Sequence, residues 1–428
     1  MTSTVDTGRA AATASSPAPP LDVVSLRADV PALASGLAFF DSPGGTQTPA
    51  PVIEAIAAAL TAPLANRGHD NPAQRNADQI VVDARAAMAD YLGNDAAGIV
   101  FGRSATQLTL EFARILARDW GSGDEVVVTR LDHDGNIRPW VLAAERVGAT
   151  VRWVDFDPAT AELDLDQLEA SLTSRTRLVA VTGASNLLGT IPDHARIASL
   201  IHGAGGSGAG GHGGGGRART VFWVDAVHLA AHARVDRAAL GADVVVCSPY
   251  KFGGPHLGVL AADPAWLEQV RPDKLLPSSD TVPERFELGT LPYELLAGTT
   301  AAVDYLAGLG AGEDRADRLT SAFERLHLQE QQLLTRLEDG LRSLGAVLYS
   351  AASRRTSTVL FDLPGRPAGE VSLALAAQGV NAPAGSFYAL EASRHLGLGD
   401  DGAVRVGLAP YNDLDDVDRL LGALRNLR

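Results

Sequence analysis

Residues 220–228 of the chain read TVFWVDAVH, and residues 243–251 read DVVVCSPYK. Each segment is an unbroken apolar run that ends in polar residues, Asp225 in the first and Lys251 in the second. Apolar runs without alternation are typical of strands that are buried on both faces of a parallel sheet. The two segments therefore predict neighbouring strands whose ends bring a carboxylate and an amine together.

Similar short apolar runs occur on both sides of these segments. Further short β-rich runs lie at Gly98–Phe101, Glu125–Thr129, Thr150–Val154, Arg177–Thr182 and Leu257–Ala261. Most of them alternate with helical stretches at Ser104–Asp119, Asn136–Val147, Leu165–Leu172 and Asp193–His202. Strands that alternate with helices predict an α/β fold with a mostly parallel sheet of seven strands, covered by helices on both faces.

The pattern changes beyond about residue 296, where a long helical region at Arg315–Leu344 is followed by short strands and a final helix at Leu414–Leu427. We therefore predict a large domain over residues 45–295 and a smaller α+β domain built from residues 21–44 and 296–428. Residues 1–20 are rich in Pro, Ala, Ser and Thr without periodicity, which predicts a disordered tail.

Composition excludes several classes of protein. The 428 residues carry a formal charge of −15, which disfavours nucleic acid and anionic membranes as partners. No apolar run is long enough to span a membrane, and the first twenty residues lack a secretory signal, so a cytoplasmic protein is expected. The one cysteine, Cys247, excludes an intrachain disulfide and a zinc site made of cysteines, and no metal site is expected.

A glycine-rich stretch over Gly203–Gly216 contains a formal GxGxxG pattern. It follows a predicted helix and precedes a strand, which is the reverse of the order in a dinucleotide-binding fold, so a nicotinamide-dependent oxidoreductase is disfavoured. His202 and His212 flank or occupy this stretch, and a flexible surface loop is a better interpretation of it than a metal site.

The chain has two lysines, Lys251 and Lys274, so an amine nucleophile has two candidates. A lysine just past a buried strand end is poorly solvated, which lowers its pKa and favours the nucleophilic neutral amine. Together with Asp225 it gives the pair that pyridoxal phosphate requires, one residue for covalent attachment and one to keep the ring nitrogen protonated. Arg103–Gln107 opens a helix after a strand and could bind the phosphate through its backbone N–H groups.

Taken together, the motifs resemble the class V aminotransferase family of fold-type I pyridoxal-phosphate enzymes, and within it the cysteine desulfurase-like group. They follow in the family's order over nearly the whole chain: Phe40–Gly45, Val100–Thr106, Asp132–Ile137, Ser185–Thr190, Val224–His228, Cys247–Lys251, Arg285–Thr290 and Arg405–Leu408.

This resemblance implies roles for the residues around the cofactor ring. Lys251 would form the Schiff base with pyridoxal 5'-phosphate and act as catalytic base, and Asp225 would bind the pyridine nitrogen. His133 would stack on the ring, where it is a candidate catalytic residue. Asn186 and His228 would lie near the phenolic oxygen, and His228 replaces the glutamine that is more usual in the desulfurases.

The resemblance also implies a phosphate site and a homodimer. Ala105, Thr106, Ser248 and Tyr250 would bind the phosphate, with Tyr250 in place of the histidine usual in the desulfurases. Thr290 would reach the phosphate in the neighbouring subunit, which would make the homodimer obligatory.

On the substrate side, the resemblance implies that Arg405 binds a carboxylate, for which its two-pronged guanidinium is suited. The desulfurases carry a nucleophilic cysteine on a mobile loop, whereas here Pro383 stands near the loop's arginine position and Tyr388 near its cysteine position. Tyr388 is therefore a third candidate catalytic residue. Cys247 lies in a predicted strand, so a true persulfide-forming desulfurase is not expected.

The expected function is that of a pyridoxal-phosphate enzyme acting at Cα or Cβ of an amino acid, with lyase chemistry such as β-elimination or C–S cleavage favoured. Transamination, epimerisation and carbon–carbon bond formation remain open alternatives. A protein of another class, a non-catalytic binding or regulatory protein with the same fold, is less expected because Lys251 and Asp225 are both present.

Overall fold

The computed structural model of the chain describes residues 20–204 and 219–427. The disordered tail predicted over residues 1–20 therefore lies outside the described residues, apart from Pro20. Most of the glycine-rich stretch, including His212, lies outside them as well, so the interpretation of that stretch as a surface loop stays a prediction.

The described residues form thirteen strands and thirteen α-helices. The strands are β1 (Ala38–Phe39), β2 (Ile99–Gly102), β3 (Glu125–Thr129), β4 (Thr150–Val154), β5 (Thr176–Thr182), β6 (Val221–Asp225), β7 (Val244–Cys247), β8 (Gly258–Ala262), β9 (Val347–Leu348), β10 (Thr358–Asp362), β11 (Val380–Asn381), β12 (Ala384–Gly385) and β13 (Ala403–Gly407). The helices are α1 (Val23–Ala28), α2 (Ala50–Thr61), α3 (Pro72–Leu92), α4 (Ala105–Leu116), α5 (Arg138–Val147), α6 (Leu165–Ser171), α7 (His194–Ala204), α8 (Pro264–Leu267), α9 (Tyr293–Gly308), α10 (Arg315–Ser343), α11 (Ala368–Ala376), α12 (Leu390–His395) and α13 (Leu414–Arg425).

The large sheet contains seven strands in the order β2-β8-β7-β6-β5-β3-β4. Neighbours from β4 to β7 are parallel, and β8 is antiparallel to both of its neighbours. All seven strands arise from the seven predicted runs, with bounds that differ by one residue at most. The predicted mostly parallel seven-stranded sheet is therefore confirmed.

Helices cover both faces of this sheet. Alternate residues of one strand, such as Val127 and Val126 of β3, belong to different apolar clusters. Each cluster joins one face of the sheet to the helices that cover it, so the strands other than the edge strand β4 are buried on both sides. The arrangement leaves the strand ends and the loops that follow them as the place for a site.

A second sheet of four antiparallel strands has the order β12-β13-β10-β9. Residues of α10, α11 and α13 pack on it in a separate apolar cluster. The N-terminal segment joins this part of the molecule, because β1 pairs in parallel with β11. Residues of α9 and the first half of α10 belong to the core of the large sheet, and the predicted division at residue 296 stays a prediction.

Among the described residues, no helix combines the length and the apolar character that crossing a membrane would require.

Candidate active site

A cavity of about 810 Å³ lies where the ends of β5 and β6, the turn after β7 and the start of α4 meet. Thr182, Asp225 and Lys251 line it from the large sheet, while Phe387 and Arg405 line it from the smaller part of the molecule. Every site residue predicted from the sequence lines this cavity except Thr290.

Asp225 and Lys251 approach each other because their strands are neighbours. β6 and β7 pair in parallel, with Asp225 opposite Val246, and Lys251 lies in the helical turn Pro249–Phe252 that follows β7. The Lys251 ammonium is buried and donates hydrogen bonds to the backbone carbonyls of Pro43 and Gly44. One Asp225 carboxylate oxygen accepts from the Val227 backbone N–H at 2.9 Å.

Burial shifts the ionisation of both groups. It lowers the pKa of Lys251 to about 7, with the positive charge of Arg405 as the second cause. Burial likewise raises the pKa of Asp225 to about 6, against the opposing effects of the Val227 hydrogen bond and the Lys251 charge. Near neutral pH, a substantial fraction of the Lys251 amine is therefore uncharged and able to act as a nucleophile.

His133 lies on the wall of the cavity as an uncharged ring. Its Nδ1 accepts a hydrogen bond from the Gly135 backbone N–H at 2.9 Å, which fixes the ring at the start of a short turn. Burial, then the charges of Lys251 and Arg405, lower the pKa of His133 to about 4. A neutral planar ring is suited to stacking on an aromatic ligand.

The predicted phosphate site lies at the start of α4. The Ser104 hydroxyl accepts from the Gln107 backbone N–H at 3.1 Å and caps the helix, so Ala105 and Thr106 supply the first turn that borders the cavity. Ser248 and Tyr250 line the cavity as well. A helix start with hydroxyl groups around it can bind an anion, and the phosphate-binding role of these residues stays a prediction.

Arg405 has a partner that the sequence did not reveal. Its guanidinium is buried in β13 and donates to the Asp41 carboxylate at 2.7 Å and to the Asn186 carbonyl at 3.0 Å. The Phe387 ring lies against it, with its centroid 3.7 Å from the guanidinium carbon. Asp41 belongs to the quoted motif Phe40–Gly45, which is the signal that could have drawn attention to it.

The loop that carries Tyr388 has an unusual backbone. Phe387 and Tyr388 have φ angles of 52° and 59°, in the left-handed region that side chains disfavour. The carbonyl of Phe387 accepts from Asn186 Nδ2 at 2.9 Å, and that of Tyr388 accepts from the Asp134 backbone N–H at 2.7 Å. The strained pair is thus held by hydrogen bonds to the large sheet's loops.

Tyr388 itself is 73% exposed, although its ring stacks on His133 with a centroid distance of 5.5 Å. It therefore forms an outer edge of the cavity. Its predicted catalytic role stays a prediction.

His228 lines the cavity and is buried. Its Nε2 lies 2.9 Å from the Thr358 hydroxyl and 3.1 Å from the Thr356 hydroxyl. Its ring also packs edge-on against His232, whose Nδ1 lies 3.1 Å from the Glu330 carboxylate. Sequence reasoning missed the two threonines and Glu330, because they lie far along the chain, at or just before the start of β10 and on α10.

Two other sequence-based predictions concern residues away from the cavity. Thr290 is exposed and does not line it, so a role toward a neighbouring subunit stays a prediction. Cys247 is buried in β7, where burial raises the pKa of its thiol.

These residues fit pyridoxal 5'-phosphate. Asn186 Oδ1 and His228 Nδ1 are buried without a hydrogen-bond partner among the described residues, as expected of polar atoms that serve a ligand. The cavity also provides a carboxylate for a ring nitrogen in Asp225 and an amine for the aldehyde in Lys251, with the helix start of α4 for the phosphate.

Comparisons with known proteins identify the family of the chain. The sequence pattern of the Aminotransferase class-V family matches residues 38–420. An aminotransferase-like protein, FGM3 of Gibberella zeae, is 31% identical over 94% of this chain and 97% of its own. A cysteine desulfurase of Klebsiella pneumoniae is 30% identical over 95% of this chain and 98% of its own.

A solved structure gives the same result for the fold. The apo cysteine desulfurase of Thermococcus onnurineus has a TM-score of 0.84 at 26% identity, covering 97% of this chain and 99% of that one. The predicted fold-type I architecture is therefore confirmed.

Proposed function

Because the chain belongs to the class-V aminotransferase family and uses pyridoxal 5'-phosphate, we propose that it is a lyase that eliminates a group from Cβ of an amino acid without forming a persulfide. The class of enzyme and the cofactor follow from the family. The bond that is broken, the absence of a persulfide and the roles of individual residues are the proposal.

The observation that carries the proposal is the identity of the loop residue. Tyr388 stands near the position of the desulfurases' nucleophilic cysteine, and the one cysteine of the chain, Cys247, is 0% exposed in β7. Burial raises the pKa of the Cys247 thiol, so the thiolate that persulfide chemistry needs is disfavoured. The chain therefore keeps the cofactor residues of the group and lacks its sulfur acceptor.

Four residues would hold the ring of the cofactor. Lys251 would bind it covalently, Asp225 would accept a hydrogen bond from its ring nitrogen, His133 would cover one face, and His228 would donate to its phenolic oxygen. When bound, pyridoxal 5'-phosphate withdraws electrons from Cα, which weakens the bonds at that carbon.

Lys251 is the group best suited to move a proton at Cα. Its pKa of about 7 means that it can both accept and return a proton near neutral pH. Its amine lies on the cavity side of the turn after β7, beside the carbonyls of Pro43 and Gly44 that hold it in the structure. Removal of the Cα proton by Lys251 would set up loss of a leaving group from Cβ.

Arg405 would bind the substrate carboxylate. It is buried beside the cavity, and one of its guanidinium nitrogens, Nε, has no partner among the described residues. Asp41 already occupies Nη2 at 2.7 Å, so a substrate carboxylate must share the guanidinium with Asp41 or displace it. The Phe387 ring excludes water from the same guanidinium, which strengthens its attraction for a carboxylate.

The proposed assembly is a homodimer in the cytoplasm. Thr290 lies on the exposed segment Leu288–Thr290, which is consistent with a contact to the phosphate in a neighbouring subunit. Light scattering that finds an active monomer would contradict this assembly.

The experiment that tests the function combines two measurements. The cofactor-loaded protein is reduced with borohydride, and peptide mapping is expected to find the label on Lys251 and not on Lys274. The loaded protein is then incubated with a panel of amino acids, and products are identified by mass. Keto acids released with loss of a Cβ substituent support the proposal, whereas exchange of the amino group with added keto acids contradicts it.

A cysteine variant tests whether the protein forms a persulfide. Cys247→Ser is expected to leave product formation largely unchanged, because the buried thiol lies in the strand and not in the cavity. A persulfide on Cys247 that is detected by mass after incubation with L-cysteine, together with loss of sulfide release in Cys247→Ser, would show that the chain is a desulfurase after all.

Transamination is the second candidate, favoured by the relative described as aminotransferase-like. It would use the same residues, and Lys251 would again be the group that moves the proton of Cα. The product panel distinguishes the two reactions.

A further inference from the structure

The His228 ring is held in one orientation by two threonines. Its Nε2 lies 2.9 Å from Thr358 Oγ1 and 3.1 Å from Thr356 Oγ1, and the two hydroxyl oxygens lie 3.1 Å apart. Turning the imidazole over would place a carbon against both hydroxyls and leave them without this partner. All three residues are buried, so the hydrogen bonds do not compete with water.

The direction of the hydrogen bonds follows from the acceptors that are present. The Thr356 hydroxyl donates to Thr358 Oγ1, so the Thr358 hydroxyl needs a different acceptor for its own hydrogen. Among the described residues, the acceptor within reach is His228 Nε2. If Nε2 accepts, the neutral ring carries its hydrogen on Nδ1, the nitrogen that has no protein partner.

The charges that surround His228 favour this neutral form. Burial lowers the pKa of His228 well below its ordinary value, and His232, Lys251 and Arg405 lower it further. Glu330, the buried carboxylate on this side, lies against His232 Nδ1. A second proton on His228 would therefore have no carboxylate beside it to stabilise the charge.

The position of the threonines is set by the loop that carries Asn186. The Thr356 backbone N–H donates to the Gly189 carbonyl at 2.9 Å. Gly189 has a φ of 80°, and a Cβ there would lie 3.0 Å from Thr356 Oγ1. This glycine thus lets the loop approach the hydroxyl pair closely. The loop therefore holds the pair on one side, and His228 contacts it on the other.

We propose that Thr356 and Thr358 are positioning residues that hold His228 as the Nδ1–H tautomer, which makes it a permanent donor to the phenolic oxygen of the cofactor. A phenolate accepts hydrogen bonds only, so a ring nitrogen without hydrogen would repel it. The inference deepens the proposed function, and it rests on binding of the cofactor at Lys251.

The direct test is nitrogen NMR of the full chain labelled at histidine, before and after loading with pyridoxal 5'-phosphate. His228→Gln identifies the signals of His228. The parent is expected to show hydrogen on Nδ1 and none on Nε2 in both states. Hydrogen on Nε2, or on both nitrogens, would overturn the inference without the need for any variant of the threonines.

The variants test whether the threonines are the cause. In Thr356→Val/Thr358→Val, the donors are lost while the shape is kept, so a mixture of tautomers and a dissociation constant for the cofactor raised by about five- to hundredfold are expected. Thr358→Ser keeps a hydroxyl and is expected to retain both the tautomer and the affinity. Unchanged tautomer and affinity in the double valine variant would contradict the proposal.

A matched control is Ser357→Ala, which removes a buried hydroxyl that lies 3.5 Å from His232 Nδ1. It is expected to leave the His228 signals unchanged, so an equal effect there would assign the loss to general packing and overturn the specific role. Borohydride labelling separates this test from the proposed function. A parent that carries no label on Lys251 refutes the function, whereas a labelled parent with hydrogen on His228 Nε2 refutes only this inference.

Discussion

The two sides of the cavity are built in different ways. We call Asp225, Ser248, Tyr250 and Lys251 the cofactor floor, since they lie at the ends of two adjacent strands, 26 residues apart at most. We call Asp41, Phe387, Tyr388 and Arg405 the substrate wall, since they come from three distant segments of the chain.

The cofactor floor and the substrate wall should therefore respond differently to substitutions. The floor is set by local structure, because Asp225 ends one strand of a buried sheet and the turn that carries Lys251 begins directly after the neighbouring strand. The separate segments of the wall are joined to one another and to the large sheet's loops by individual contacts, such as Arg405 with Asp41 and the Tyr388 carbonyl with the Asp134 N–H. We therefore expect changes in the floor to abolish cofactor chemistry and changes in the wall to alter which substrates bind.

The largest effect is expected for the floor. Lys251→Ala should remove the covalent attachment of the cofactor and lower turnover by about 10²–10⁴-fold, because the positioned base is lost. The measurements are borohydride labelling and the rate of product formation. Lys274→Ala is the control, since Lys274 pairs with Asp280 at 3.1 Å outside the cavity. Equal losses in both variants would contradict the distinct role of the floor.

In the wall, Arg405→Ala should weaken amino-acid binding by about 10- to 100-fold, since a charged hydrogen bond contributes about 1.5–3 kcal/mol. The spectral change on titration with amino acids measures this affinity, and covalent attachment of the cofactor should persist. The matched control is Arg138→Ala, because Arg138 lines the same cavity and pairs with Asp134 at 3.1 Å. A larger loss in Arg138→Ala would move the carboxylate site to the mouth of the cavity.

The pH dependence of cofactor attachment should depend on residues of both the cofactor floor and the substrate wall. The neutral amine of Lys251 is the nucleophile, and its pKa lies at about 7, below the ordinary 10.5. The rate of attachment should therefore rise with pH through about 7 and then level off. Arg405→Ala should move the midpoint upward, because its positive charge is the second cause of the lowered pKa. A midpoint that stays near 10 in the parent would contradict the burial argument.

The smallest effect is expected at the outer edge of the wall. Tyr388→Phe keeps the ring that stacks on His133 and removes a hydroxyl from a side chain that is 73% exposed. Turnover should change by a few-fold at most. A fall of about 10²-fold, which is the scale of a lost proton donor, would instead make Tyr388 a catalytic residue.

Much of the fold could be predicted from the sequence, because most strands of the large sheet are short, mainly apolar runs. The start of α4 was displaced by one residue, since Ser104 caps the helix with its side chain and lies outside it. The long helix α3 was not identified, although Asn71 at its cap and Pro72 at its first position are ordinary start signals. Its polar composition weakens the apolar periodicity from which a helix is predicted.

The site was predictable to a similar extent and for a similar reason. Lys251 and Asp225 could be found because strand ends carry local signals that topology brings together. The contacts of Arg405 with Asp41 and of His228 with Thr358 join residues that are 364 and 130 positions apart. No local pattern encodes such pairs, since they arise from the packing of the second sheet against the loops of the first.

The burial of Cys247 has a practical consequence for measuring the fold itself. The thiol is the one in the chain, lies in β7 opposite Val259, and is shielded completely. A thiol reagent can reach it only when this strand opens, so the rate of its modification under native conditions reports the free energy of that opening. β7 leads directly into Lys251, so a cofactor that binds only the closed form should slow the modification of Cys247 as more of the protein becomes loaded. The modification rate of this one sulfur atom would then measure how strongly cofactor binding suppresses opening of the strand.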